Sequence, residues 1–300
     1  MIRKAVPAMN FEIVTDSSCN LLEGLIDNFG LHVLPLTFTA EGDPNVYQSY
    51  LKGEKTDLQK FYGMMREGKV FKTSLPSQTY TEELFRELLD QGRDVLYIGF
   101  SSALSGTFEA TSVIMKRLQA EYPERKLYAV DTLAASGGEG LLIYHAVQLA
   151  DEGASIEEVR DSVEQNKLHM AHWFTVDDLM FLYRGGRLSK GSAKAGSMLK
   201  IKPVLHVDDT GHLVSVEKAT GRKKSLDALV KHLGKSALQP IDQQMVFITH
   251  GDCRKDAEYV ADQIMSRYGV RHVIINYVDP VIGAHSGPGT VALFFLADKR

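Results

Sequence analysis

Three hundred residues exceed the usual size of one compact domain and point to two. An apolar share of 44% with 24% charged residues is that of an ordinary globular chain, and a net charge of −4 argues against a general nucleic-acid binder. Cys19 and Cys253 lie too far apart for a Cys-x-x-Cys or a disulfide framework, which fits a reducing cytoplasm. Met1–Pro7 has no long apolar core, and no run reaches the ~18 apolar residues of a membrane helix, so neither a signal peptide nor integral membrane association is expected.

Residues 1–10 read as a loose leader. Phe11–Thr15 reads as a first strand ending in the capping cluster Asp16-Ser17-Ser18, and Leu31–Phe38 as a second, interrupted at Pro35. Residues 41–57 are polar and turn-rich; Phe61–Arg66 suggests a short helix. Lys72–Gln78 is a hydroxyl-rich loop. Thr79–Glu82 fits a capping box, followed by a helical face of Leu84, Phe85, Leu88 and Leu89 that Gly92 ends.

The apolar run Val95–Gly99 then empties into Phe100-Ser101-Ser102-Ala103-Leu104-Ser105-Gly106-Thr107, ahead of a helical pattern over 108–118. A helix start flanked by hydroxyls suits a carboxylate or phosphate; it also suits simple capping. Leu127–Val130 reads as a strand ending at Asp131-Thr132. Ser136–Gly140 reads as a glycine-rich turn before an apolar helix over 141–150, and Ser155–Glu158 as a capping box. This alternation predicts a doubly wound parallel sheet whose loops gather at the strands' carboxyl ends. Neither Gly-x-Gly-x-x-Gly nor a P-loop motif is present.

Beyond a boundary near residue 165 the pattern changes. Asp177–Tyr183 predicts a short helix stopped by Gly185-Gly186, and 191–199 a helix of small residues. Pro203–Val207 and Leu213–Val216 flank Asp208–Gly211 as an antiparallel hairpin. Helix over 225–233, strand over 245–249, helix over 257–265 and strand over 273–278 follow. Gly283–Gly289 reads as a tight turn before a last strand, 291–296. The fold class is therefore α/β with two domains, 11–165 and 166–300, the second of mixed α/β type.

The candidate chemistry is sparse. Gly99–Ala103 lacks the second glycine of a nucleophile elbow, although a Ser105–His285–Asp16 triad stays formally open. His169 and His172 lack a third ligand at zinc spacing, and a helix-end or packing role suits them better. Residues 184–202 carry six Lys or Arg and no acid, and Arg222-Lys223-Lys224 adds to them; a solvated face or an acidic partner protein would suit this. Arg187, placed directly after two glycines, could reach inward to an anion, and His285, set among glycines, could donate to the same anion.

Thr15-Asp16-Ser17, Thr73-Ser74 with Pro76-Ser77, Ser101-Ser102 with Leu104–Thr107, Asp178-Leu179, Gly185-Gly186-Arg187, Lys202-Pro203 and His285–Gly289 occur in one order. Together they resemble the DegV family of bacterial fatty-acid-binding proteins, over about residues 11–296. The resemblance implies a long-chain fatty acid held between two α/β domains, with no cofactor, no metal and no catalysis by the chain itself. It implies fatty-acid-binding roles for Thr73, Ser102, Ser105, Arg187 and His285. It further implies a separate ATP-binding fatty acid kinase subunit that phosphorylates the carboxylate for phospholipid synthesis; a small-molecule phosphotransferase using a covalent His or Ser is the alternative. Leu75 departs from a more usual polar residue, Ala103 from Gly and Ser286 from Thr.

Overall fold

The computed structural model describes residues 11–54, 56–188 and 201–300. The small-residue helix expected over 191–199 lies outside them. Three sheets organise the chain.

The first is parallel: β1 (Phe11–Asp16), β2 (His32–Leu34), β6 (Asp94–Gly99) and β7 (Leu127–Asp131), in the order β2-β1-β6-β7. Its inner strands are apolar on both faces, as a parallel sheet covered by helices requires. One face packs on α3 (Gln78–Asp90) and α4 (Thr107–Glu121) through Val14, Phe85, Leu88, Tyr97, Ile114 and Leu118. The chain leaves β1 in one direction and β6 in the other, so a crevice opens between their carboxyl ends.

The second sheet is mixed, in the order β10-β9-β8-β13-β11-β12. Its strands are β8 (Met170–Thr175), β9 (Ile201–Val207), β10 (Leu213–Thr220), β11 (Met245–His250), β12 (His272–Tyr277) and β13 (Val291–Leu296). Period-two alternation sends Ala171, Val246, Ile248, Leu293 and Phe295 towards helices α8 (Arg222–Ser236) and α9 (Arg254–Tyr268). It sends His172, Phe174, Thr249, Ala292 and Phe294 to the opposite face.

That opposite face meets α5 (Gly137–Asp151), which also touches β6. Leu141, Leu142, Ile143, Ala146 and Val147 surround α5 with apolar side chains, so it is a buried helix rather than an amphipathic one. A single apolar core therefore runs from Ile13 and Ile98 through α5 to Leu205 and Phe294.

The third sheet was not anticipated. Pro35 splits the stretch read as one strand: β2 stays in the parallel sheet, and β3 (Thr37–Ala40) pairs with β4 (Tyr47–Gln48) and β5 (Phe71–Ser74). With α2 (Leu58–Arg66) it encloses an aromatic cluster of Phe38, Phe61, Tyr62 and Phe71. Phe71–Ser74 is thus strand, where a loop was expected.

Four smaller expectations also change. The cap of α3 is Ser77, whose Oγ accepts from the Tyr80 N–H, rather than Thr79. Gly137–Gly140 form the first turn of α5 instead of a loop before it. Met170–Thr175 is a central strand, with His172 buried and Trp173 half-buried in the sheet. Residues 280–286 form α10 (Pro280–Ser286), capped by Asp279 with proline at its first turn, and the tight turn is confined to Gly287–Gly289. The short helix α7 (Met180–Arg184), the 208–211 hairpin turn and the Ser155–Glu158 capping box opening α6 (Ile156–Asn166) follow the pattern.

Candidate functional site

Asp16 anchors the crevice between β1 and β6. It is fully buried, and its carboxylate accepts from Ser18 N at 3.1 Å, Tyr97 Oη at 3.0 Å and Phe100 N at 3.0 Å. Burial pushes this carboxyl up, and those donors oppose the shift. The bond to Phe100 fixes where β6 ends and where the hydroxyl loop begins. Leu104 N and Ser105 N both donate to Ser101 O, which folds Ser101–Ser105 into one turn. Ser105 Oγ then accepts from Thr107 N at 3.3 Å and lies 2.9 Å from Thr107 Oγ1, so it also steadies the start of α4.

Beside this loop is a cavity of about 940 Å³, counting the space open at its mouth. Its walls are largely apolar: Leu36, Phe100, Leu104, Phe174, Leu182, Val207, Leu213, Val281 and Phe294 among others. Thr73, Ser105, Arg187 and His285 all line it. They come from four places in the chain: the end of β5, the loop after β6, the turn after α7 and the last turn of α10.

Two of them are joined directly, and a third braces the glycine turn beside them. Thr73 Oγ1 is 2.8 Å from His285 Nε2. His285 Nδ1 is buried and has no hydrogen-bond partner among the described residues. A proton on Nδ1 would be a stranded donor, so the proton belongs on Nε2 and is donated to Thr73 Oγ1. The Thr73 hydroxyl hydrogen is thereby released to another acceptor. Burial, helped by the nearby Arg187 charge, pushes the His285 imidazole down to about 4, which keeps it neutral. The imidazole rests on Gly185: a Cβ there would stand 2.2 Å from Nδ1. Arg187 donates from Nε to Leu104 O at 3.0 Å and from Nη1 to Gly185 O, and burial lowers its pKa. One guanidinium thus ties the hydroxyl loop of the first half to the glycine turn of the second.

Ser102 does not join them. Its side chain borders a separate surface cleft with Phe108, Val113 and Leu127, and its N–H donates to Asp131. The turn at Ser101–Ser105 rotates Ser102 away from the cavity. Ser101, fully buried, reaches across to Gly211 O at 3.1 Å and serves as a latch to the β9–β10 hairpin. Nor do Ser105, His285 and Asp16 form a triad: their hydrogen bonds go to Thr107, to Thr73, and to Tyr97 and Phe100 respectively.

A second group of polar residues lies along the cavity, none of them given a binding role by the sequence: Ser136, His172, Thr249 and Ser286. His172 is 2% exposed; Nδ1 lies 2.8 Å from Met170 O, and Nε2 accepts from Ala135 N at 3.3 Å. A Cβ on Gly138 would come within 2.1 Å of Nε2, so that glycine makes room for the ring. The available signal was the glycine pair 137–138, a spacing that permits a side chain from another element to approach.

Among the described residues no group of three His, Cys, Asp or Glu could hold a metal ion, and no helix is long and apolar enough to cross a membrane. Within the basic stretch, Lys202 pairs with Asp177, and Arg222 pairs with Asp256 and Asp177. Lys190 and Lys194 lie outside the described residues.

The α/β chain thus combines a carboxyl-edge crevice, a largely apolar cavity and one hydroxyl-imidazole corner. The sequence profile described as an uncharacterised protein of the DegV family matches residues 10–298, and the chain belongs to the DegV family. A DegV domain-containing protein of Clostridium perfringens is 41% identical over 290 residues, covering 97% of this chain and 98% of the relative. A Thermus thermophilus structure described as fatty acid binding of a DegV family protein superposes with TM-score 0.84 at 28% identity, covering 96% of this chain and 100% of the other. The Bacillus subtilis structure described as DegV, a fatty acid binding protein, gives TM-score 0.81 at 26% identity, covering 97% and 100%.

Proposed function

We propose that this chain binds one long-chain fatty acid, with the carboxylate at the Thr73–Ser105–Arg187–His285 corner and the tail along the cavity. The observation that carries the reading is the pairing of one polar corner with an otherwise apolar cavity. A carboxylate that leaves water must recover its hydrogen bonds. The Thr73 hydroxyl, oriented by His285, and the Ser105 hydroxyl supply donors, and the half-buried Arg187 supplies charge. In this arrangement His285 acts through Thr73 and is a positioning residue.

The tail's reach follows from the sheet. Cavity walls are contributed by Leu213 in β10, Val207 in β9, Phe174 in β8, Ala292 in β13, Thr249 in β11 and Val278 just past β12. The five intervals between six strands, at about 4.8 Å each, span roughly 24 Å. An extended main chain advances at most about 3.6 Å per three bonds, so this length suits a tail of up to about 20 carbons. Each buried methylene contributes roughly 0.8 kcal/mol, enough for a tail of that size to offset the cost of association.

The chain is divided, in this reading, into units 11–165 and 166–300 with the ligand between them. It works in the cytoplasm as a non-catalytic carrier and presents the carboxylate to an ATP-binding kinase subunit for acyl-phosphate formation. The His285 geometry supports a carrier over a covalent phosphotransferase: Nε2 is engaged by Thr73 and Nδ1 is seated against Gly185. Mass spectrometry of lipid extracted from the native protein tests the reading. A fatty acid near one per chain is expected; folded protein that carries none and takes none up would overturn it.

A further inference from the structure

The second polar group along the cavity has a donor–acceptor pattern that a plain acyl tail leaves unanswered. Ser136 Oγ donates to Asn20 Oδ1 at 2.8 Å and lies 2.9 Å from Thr249 Oγ1. With the Ser136 hydrogen engaged, Thr249 donates to Ser136, and the Thr249 oxygen keeps acceptor capacity. Ser286 is 5% exposed, and its hydroxyl has no hydrogen-bond partner among the described residues. Its only hydrogen therefore lacks an acceptor. The segments that carry them pair directly: Thr249 is in register with Ala292, and Gly251 N donates to Thr290 O at 2.8 Å, at the foot of the turn that follows Ser286. Both residues line the cavity.

The matching ligand atom accepts one hydrogen bond and donates another. An alcohol does both; a methylene does neither, and a carboxylate only accepts. A second anion is also disfavoured, because burial in this region penalises negative charge. Two carboxyls stand behind this group: the fully buried Glu139 in the first turn of α5, and the part-buried Asp279, whose N–H donates to Asn20 Oδ1. Burial and then the nearby Asp16 push Glu139 well up, and burial pushes Asp279 up to about 6. The site is therefore suited to a neutral oxygen.

We infer that the cavity selects fatty acids carrying a hydroxyl on the chain, with Ser286 donating to that oxygen and Thr249 accepting from it. The inference rests on the fatty-acid reading and adds a chemical class to it.

The test is a competition assay on the delipidated full chain, using stearic acid and its monohydroxy positional isomers. One isomer, or a narrow range of positions, should bind about 10-fold tighter than stearic acid, the worth of a pair of matched buried hydrogen bonds. Ser286→Ala should abolish that preference while leaving stearic acid affinity within about twofold and thermal stability unchanged or raised, since an unsatisfied hydroxyl is removed. The isosteric Thr249→Val provides an independent variant and should also reduce the preference. If no isomer outcompetes stearic acid, or the preference survives both substitutions, the inference is overturned while the fatty-acid reading stands. If neither stearic acid nor any isomer binds, the fatty-acid reading itself fails.

Discussion

The first half of the chain furnishes the cavity corner with hydroxyls, Thr73 from a strand and Ser105 from a loop whose start is held by a buried carboxylate; the second half furnishes nitrogen side chains seated on glycine. Asp16 fixes where the Ser101–Thr107 loop begins by accepting a hydrogen bond from Phe100 N. Gly185 fixes His285 through the space a missing side chain leaves. The two modes fail differently. A hydroxyl can be deleted and cost one hydrogen bond, whereas filling a glycine's space displaces a whole ring and breaks whatever that ring was holding.

The largest effect should therefore come from a change that adds an atom. Gly185→Ala places a methyl against His285 Nδ1, and overpacking of about 2–3 kcal/mol should move the imidazole off Thr73. Fatty acid affinity measured by fluorescent-acid displacement should fall about 100-fold. Retained affinity would show that the corner tolerates a displaced ring.

Next come Thr73→Val and His285→Gln, each expected to weaken binding about 10-fold, with the double variant little worse than either alone because the two act as one unit. Additive losses in that cycle would mean His285 touches the ligand independently. Ser105→Ala should cost about fivefold, as one neutral hydrogen bond is lost and the start of α4 is slightly loosened. Ser102→Ala should leave affinity unchanged, because Ser102 borders a different cleft; any measurable loss would place it back in the site.

The same contrast has a pH signature. His285 is held down at about 4 by burial and by Arg187, against an ordinary value of 6.5. Its contribution is present above 6.5 and is lost as pH falls from there through about 4. His250 titrates in the same direction, whereas Asp279, raised to about 6 by burial, contributes stability that fades as pH rises through 6. Urea unfolding from pH 7 to 4 should accordingly show a slope that His285→Gln reduces. An unchanged slope would mean that His285 is not the buried neutral group the geometry makes it.

Much of this was legible in the chain because local chemistry and global position agreed. The apolar runs of β1, β6 and β11 read as buried strands, and Ser155–Glu158 read as a capping box. Thr73, Ser105, Arg187 and His285 stand out by their motif order, and the fold brings all four to the wall of one cavity. Ser102 was misplaced because a hydroxyl-rich string does not reveal which way a turn rotates each side chain. β8 is hidden in the sequence because His172 reads as a helix-end or packing residue; only the tertiary fold buries it in a strand. The sheet formed by β3, β4 and β5 was missed for a related reason: Pro35 hides the point where one apolar run passes to a different sheet.

The buried helix α5 has a consequence for how the molecule comes apart. One side rests on β6 of the parallel sheet and the other on β8, β11 and β13 of the mixed sheet. A fragment ending near residue 165 would leave the second side of α5 in water, with Leu141, Leu142 and Val147 among the residues at risk of exposure. The two halves therefore melt as one cooperative unit, and hydrogen exchange in β1 and in β13 should report the same opening free energy.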